Sequence, residues 1–230
     1  MPVRVLARRL RIVGGIALAM AVIGFAAALA AMLWRPSRTD FPVQGVDVDA
    51  RNGAIDWYRL HEQGVVFAYI RATAGSDRQD ARFADNWRQA YAAGVRRGAL
   101  HRFSLCQLAA DQAGNFVATV GRDDAQLPPA VELKFEPDCT ARPDRDVLVG
   151  EIVRFLSAIE AHFGKRALLK LSAPFEARYR ISEAVDRRLW SVGYFFPPDY
   201  LARPWSLWQA SGIRRVDGME QPVHWNVAAR

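Results

Sequence analysis

Beyond residue 42 the chain alternates short apolar runs with longer amphipathic ones. Runs at Val43–Val48, Val65–Arg71, Gly98–Phe103, Ala130–Phe135, Ala167–Leu171, Leu189–Val192 and Ser206–Gln209 carry the length and apolar content of strands. Between them, Asp56–Gln63, Asp80–Ala93, Asp111–Val120 and Asp146–Phe163 carry helical periodicity, with Phe83, Trp87 and Tyr91 spaced four apart. A strand followed by a helix, repeated, predicts parallel strands joined by helical crossovers. Seven or eight such strands within residues 43–230 predict an α/β fold, a small irregular (β/α) TIM-like barrel, with an open doubly wound sheet as the alternative.

The amino-terminal part reads differently. Residues 12–34, from Ile12 to Trp34, form one uncharged apolar run, matching the roughly 20 residues that cross a hydrocarbon core. Arg4, Arg8, Arg9 and Arg11 stand before it, which predicts a cytoplasmic amino terminus and an extracytoplasmic remainder. A cleaved signal peptide is the alternative, with small residues near Ala27–Ala31. The expected organisation is a basic segment over 1–11, a transmembrane anchor over 12–34, a linker over 35–42 and a barrel domain over 43–230.

Charge and cysteine content refine this. Those four arginines supply four of the seven net positive charges, and the three left for the remainder are too few to point to nucleic acid. Cys106 and Cys139 form an even pair in an exported-looking chain, so a disulfide is expected, with two separate thiols as the alternative.

The candidate chemistry centres on Leu127–Glu136. Charges at Glu132, Lys134 and Glu136 fall on alternate positions, so a strand running through them would carry all three on one face. In a (β/α) barrel the active site lies at the carboxyl ends of the strands. That rule gathers Asp47, Arg71 with Thr73, His101 with Phe103, Glu132 with Lys134, Lys170 with Ser172, and Trp208 with Gln209 at one rim. Mixed polar and aromatic groups around one mouth suit a carbohydrate. The four histidines show no metal-ligand spacing and no glycine loop is built to cradle phosphate, so neither metal nor cofactor is expected.

The run Gly45-Val46-Asp47-Val48, then Ile55-Asp56-Trp57, Phe67–Gly75, Asp80, Asn86-Trp87, Gly98-Ala99, His101, Leu127-Pro128-Pro129, Trp208-Gln209, Gly218, Val223 and Asn226 resembles glycoside hydrolase family 25. These are lysozymes that cut N-acetylmuramyl bonds in peptidoglycan. The resemblance implies a barrel whose site includes Asp47 and an Asp-x-Glu strand, the Glu serving as the acid. Here those two positions hold Glu132 and Lys134. Asp49, Ala74, Leu100, Lys170 (where a Tyr is common) and His224 also depart from the family's usual residues, whereas scaffold positions match.

The resemblance therefore implies Asp47, Glu132 and Lys134 as the catalytic positions and peptidoglycan as the partner. Arg71, Thr73, His101, Phe103, Lys170, Trp208, Gln209 and Asn226 are the expected substrate contacts. An ammonium above the operating pH makes a poor general acid. The expectation is a glycan-recognising domain in the periplasm, anchored in the inner membrane, with muramidase activity weak or lost. The alternative is an active muramidase with a carboxylate site rearranged around Asp47, Glu132 and Glu136.

Overall fold

The computed structural model describes residues 2–229. Met1 and Arg230, the ends of the expected basic segment and barrel domain, lie outside the described residues. The chain divides into two units, Met1–Trp34 and Arg35–Arg230. In the first, α1 (Pro2–Leu33) is a continuous helix whose stretch Arg11–Leu33 has a mean hydropathy of 2.5, long and apolar enough to cross a membrane.

The second unit is a closed barrel with helices on its outside. Its strands are β1 (Gln44–Val48), β2 (Phe67–Ala74), the two-residue β3 (Arg78–Gln79), β4 (Arg96–Arg102), β5 (Ala130–Leu133), β6 (Leu168–Leu171), β7 (Arg188–Val192), β8 (Leu207–Arg214) and β9 (Val223–Ala228). They pair in the order β1-β9-β8-β7-β6-β5-β4-β2-β3, and β1 also pairs with β2. That last pairing closes eight strands into a ring, with β3 attached outside it, and excludes the open sheet. Strands from β2 to β8 run parallel around the ring, as the strand-then-helix pattern predicts, but β9 is antiparallel to both β8 and β1.

The crossovers are α2 (Trp57–Glu62), α3 (Phe83–Ala92), α4 (Ala109–Thr119), α5 (Arg145–Phe163), and the short pair α6 (Ala173–Tyr179) and α7 (Ile181–Ala184). Asp56 caps α2 by accepting from Arg59 N at 3.1 Å, and Gly164 ends α5 at φ 66°, a left-handed conformation that a side chain would strain. The expected disulfide is present: Cys106 and Cys139 are bonded, tying the segment after β4 to the segment after β5.

Period-two alternation sorts the strand residues. Phe67, Tyr69, Leu100, Ala130, Leu168, Trp190 and Leu207, from six different strands, pack together as the barrel interior. Their alternates face the helices. Gly45 and Gly98 are there because the interior has no room for more: a Cβ on Gly45 would stand 2.3 Å from the Phe67 carbonyl oxygen, and one on Gly98 2.5 Å from the Tyr69 ring. Three strands depart from expectation. The two-residue β3 and β9 were not foreseen, and β5 stops at Leu133, so Lys134 and Glu136 do not share a strand face with Glu132.

Residues 35–42, expected as a linker, are laid against the barrel. Gln44 Nε2 donates to the carbonyls of Pro36 (3.0 Å) and Phe41 (2.9 Å), and the Phe41 ring packs on Trp205 and Trp208.

Candidate functional site

Continuing the interior alternation one step toward the carboxyl ends replaces apolar side chains with charged ones. Asp47 follows Gly45 on β1, Arg102 follows Leu100 on β4, Glu132 follows Ala130 on β5, and Lys170 follows Leu168 on β6. Arg102, Glu132 and Lys170 are register partners on adjacent strands, giving a plus-minus-plus row. On the far side of the ring, Asp47 is the register partner of His224 on β9.

In the pairing order β1 and β6 are four strands apart in either direction, so they oppose each other across the barrel. Lys170 spans that diameter. Its Nζ donates to Asp47 Oδ2 at 2.7 Å, stands 3.6 Å from Glu132 Oε1, and lies 4.5 Å from the centre of the Trp190 ring. The side chain is 1% exposed. Asp47 also accepts from His224 Nδ1 (2.8 Å) and from Asn226 Nδ2 at its other oxygen (2.8 Å). Asn226 in turn accepts from Trp190 Nε1 at 3.0 Å, which fixes the amide with its nitrogen toward Asp47.

These contacts determine protonation. Burial pushes the Asp47 carboxyl up, but Lys170 and then His224 outweigh it and hold the group well below the usual carboxylate range. Burial likewise opposes ionisation of Glu132, and Lys170, Arg102 and Lys134 together bring it down to about 2. Both carboxyls are therefore anions at neutral and mildly acidic pH, and neither holds a proton to give to a leaving group.

Lys134 lies just past β5, its Nζ 3.6 Å from Glu132 Oε2. Burial lowers its pKa, Glu132 raises it, and the neighbouring Arg102, Lys170 and Arg51 lower it further. Glu136 is turned toward Arg78 Nη2 at 3.5 Å and Arg102 Nε at 3.8 Å, the latter shared with Glu132 at 2.8 Å. Burial and Asp138 raise its pKa against those two arginines. A second ionic group sits beside Asp47: Arg71 bridges Asp49 (2.8 Å) and Asp80 (3.0 Å), while Arg51 pairs with Asp49 at 2.7 Å.

Two clefts open onto this assembly. One, of about 510 Å³, is lined by Glu132, Lys134, Lys170, Ser172, Tyr194 and Gln209 among others. The other, of about 620 Å³, is lined by Asp47, Asp49, Arg51 and Asn52 with the segment Gln221–Pro222. His224 lines both.

Of the residues expected from sequence, Asp47, Arg71, Glu132, Lys134, Lys170 and Gln209 gather at this end of the barrel. Thr73, His101, Phe103 and Trp208 do not face it. A β-bulge between Arg71 and Thr73 reverses the alternation on β2, and on β4 His101 and Phe103 are the outward alternates of Leu100 and Arg102. His101 Nδ1 meets Thr73 Oγ1 at 2.7 Å, Nε2 meets Gln112 Oε1 at 3.2 Å, and the ring stacks on Phe155. Burial drops its pKa to about 3, the behaviour of a neutral core histidine. Phe103 packs edge-on against the same Phe155, and Trp208 donates to the Gly193 carbonyl at 2.6 Å on the outer face of β8. Asn226 is fully buried beneath Asp47. Arg102 and Tyr194 were not anticipated as site residues. Arg102 was legible, since it shares the alternation of Gly98 and Leu100.

Comparison with known proteins places this geometry. The profile of the glycosyl hydrolases family 25 matches residues 46–219. The chain is similar to a family 25 glycosyl hydrolase from Bacillus anthracis, with a TM-score of 0.77 and 29% identity over 86% of this chain and 92% of that one. It is also similar to the bacterial lysozyme from Streptomyces coelicolor, with a TM-score of 0.73 and 27% identity over 81% and 91%. Among curated sequences it is 28% identical to the uncharacterized protein YegX of Escherichia coli (strain K12), over 81% of this chain and 70% of that one.

Proposed function

The chain belongs to glycosyl hydrolase family 25, and from that premise we propose that it is a membrane-anchored domain that recognises peptidoglycan glycan strands and has lost most or all of the family's muramidase activity. One observation carries this reading. Lys170 pairs with both interior carboxylates at once, and the position where the family resemblance puts the acid holds Lys134. Glycoside cleavage requires a proton donor beside a second carboxylate or a participating substrate group. Here the two innermost carboxyls are held as anions and the nearest added group is an ammonium. Removing a general acid lowers rates by roughly 10²- to 10⁴-fold.

The clefts still suit a glycan. They combine two hydrogen-bonding cations, the half-buried Lys134 and the exposed Arg51, with the half-exposed ring of Tyr194. N-acetylmuramyl residues and their peptides carry carboxylates, which Lys134 and Arg51 can meet. In this reading α1 is an uncleaved anchor in the inner membrane, and the barrel works on its periplasmic side. The apolar content of Arg11–Leu33 and the arginines ahead of it support that orientation.

The test is co-sedimentation of residues 35–230 with purified peptidoglycan, together with an assay for new reducing ends. Retention in the pellet without reducing ends is expected, and failure to pellet overturns the proposal. A second reading, an active muramidase, draws on Glu136, whose carboxyl is pushed up by burial. It requires reducing ends from the wild type that disappear in Glu136→Gln.

A further inference from the structure

The barrel has a second open end, and it is basic. Where the strands begin, Phe67, Leu168, Leu207 and Ala228 surround a hollow of about 640 Å³ whose rim carries Arg96 and Arg188. Beside it a hollow of about 830 Å³ is walled by Arg166, Arg187, Arg188 and Arg203 with one acid, Asp186. Arg187 is satisfied by Glu160 at 2.6 and 2.8 Å, while Asp186 is shared between Arg166 (3.1 Å) and Arg203 (2.9 Å). Arg96 and Arg188 have no carboxylate within 4.0 Å among the described ion pairs.

More uncompensated charge lies at the same end. Lys165, three residues ahead of β6, donates only to the carbonyls of Asp124 and Gln126, at 2.7 and 2.6 Å. Arg35 and Arg38, ahead of β1, both donate to the Gln63 carbonyl. A carbonyl satisfies hydrogen bonds without cancelling charge, so these cations keep theirs. At the opposite end the cations face Asp47, Asp49, Asp80, Glu132 and Glu136. The surface is therefore polarised, with its surplus positive charge around the strand starts, and the chain enters the barrel at this end through residues 35–43.

We propose that the strand-start end of the barrel rests on an anionic phospholipid surface, with Arg96, Arg166, Arg188 and Lys165 against headgroup phosphates. Guanidinium groups pair with phosphate oxygens in two-point contacts, and clustered arginines bind anionic bilayers cooperatively through charge. The carboxylate-lined clefts lie at the other end of the strands and so face away from that surface. The proposal takes from the previous reading only that the barrel works beside a membrane.

The barrel unit Arg35–Arg230 contains every strand, the disulfide and the core, and is compact by itself, so it can be produced without α1. The experiment is flotation of this unit with vesicles of phosphatidylcholine alone or with about a third phosphatidylglycerol. Each basic side chain near such a surface strengthens binding roughly fivefold. Binding is expected only to the anionic vesicles, weakening as salt rises and the charges are screened. Reversal of three exposed cations, Arg96→Glu, Arg166→Glu and Arg188→Glu, should lower partitioning by at least about 100-fold. A control with the same charge change on or beside the outer helices, Arg82→Glu, Arg88→Glu and Arg154→Glu, should retain most of it, and thermal melting confirms that both variants fold. Equal binding to neutral vesicles, or equal loss in the two variants, overturns the proposal. Peptidoglycan pelleting measured in parallel separates the two readings: the reversed variant should pellet as the wild type does, and loss of pelleting without loss of vesicle binding would assign this face to the wall polymer instead.

Discussion

Replacing Lys170 by Met keeps the length and volume of the side chain and removes the charge that joins the two sides of the barrel. The structure sets the expected cost. Glu132 is brought from an ordinary value of 4.5 to about 2 with Lys170 the foremost of its cations, a difference that corresponds to about 3 kcal/mol at neutral pH. Asp47 loses its 2.7 Å donor as well. Breaking a buried ion pair by removing one partner typically costs 3–5 kcal/mol, and about 4 kcal/mol is expected here. The sign of the pH dependence follows from the carboxyls. In the wild type their folded values lie below the unfolded ones, so their contribution is present above about pH 4.5 and is lost as pH falls through the folded value. In Lys170→Met the foremost cation opposing burial is gone, the folded values rise, and protonation relieves the strain. The deficit should therefore be largest at pH 7 and at least about 1 kcal/mol smaller at pH 4. Urea unfolding followed by tryptophan fluorescence at both pH values measures it. A variant within about 1 kcal/mol of wild type at pH 7, or a deficit that does not change with pH, would refute the bridging role of Lys170.

Three further outcomes test other parts of the structure. Removing both Cys106 and Cys139, which are 33 positions apart, should cost about 4 kcal/mol in urea unfolding, because the bond closes a loop of that length in the unfolded chain. The His101 imidazole, held down to about 3 by burial, should show the NMR signature of the neutral ring throughout pH 4.5–8; since the unfolded chain takes up that proton near 6.5, His101 makes stability fall as pH drops below 6.5. Gly45→Ala should lower the melting temperature by about 4–8 °C, as its Cβ meets the Phe67 carbonyl oxygen at 2.3 Å and β1 must move away from β2.

Much of the barrel was legible because period and length were both clear. Apolar runs bounded by turn residues marked β1, β2 and β4–β8, and the helical periodicity marked α2–α5. What was hidden depends on register and on irregularity. Val223–Ala228 became β9 by pairing with β8 just ahead of it and with β1 at the start of the barrel, and its own pattern gave little warning. The alternating charges at 132, 134 and 136 invited a longer β5 than exists. The bulge in β2 reversed the face of Thr73, and counting alternation on β4 from Leu100 instead of from the strand end would have put Arg102, not His101, in the site. The role of Lys170 could not be read from the sequence at all, since its partner Asp47 is 123 residues away and meets it only when the ring closes.

The central claim is that the barrel retains the family's architecture while its acid chemistry has been replaced by ion pairing. Its most direct test measures reducing ends released from purified peptidoglycan, from pH 3 to pH 8, by residues 35–230 as they stand and by Glu132→Asp/Lys134→Glu/Lys170→Tyr, which restores the three family-type side chains. No release by the natural sequence and measurable release by the restored one is the predicted result. Release by the natural sequence that Asp47→Asn abolishes would contradict it.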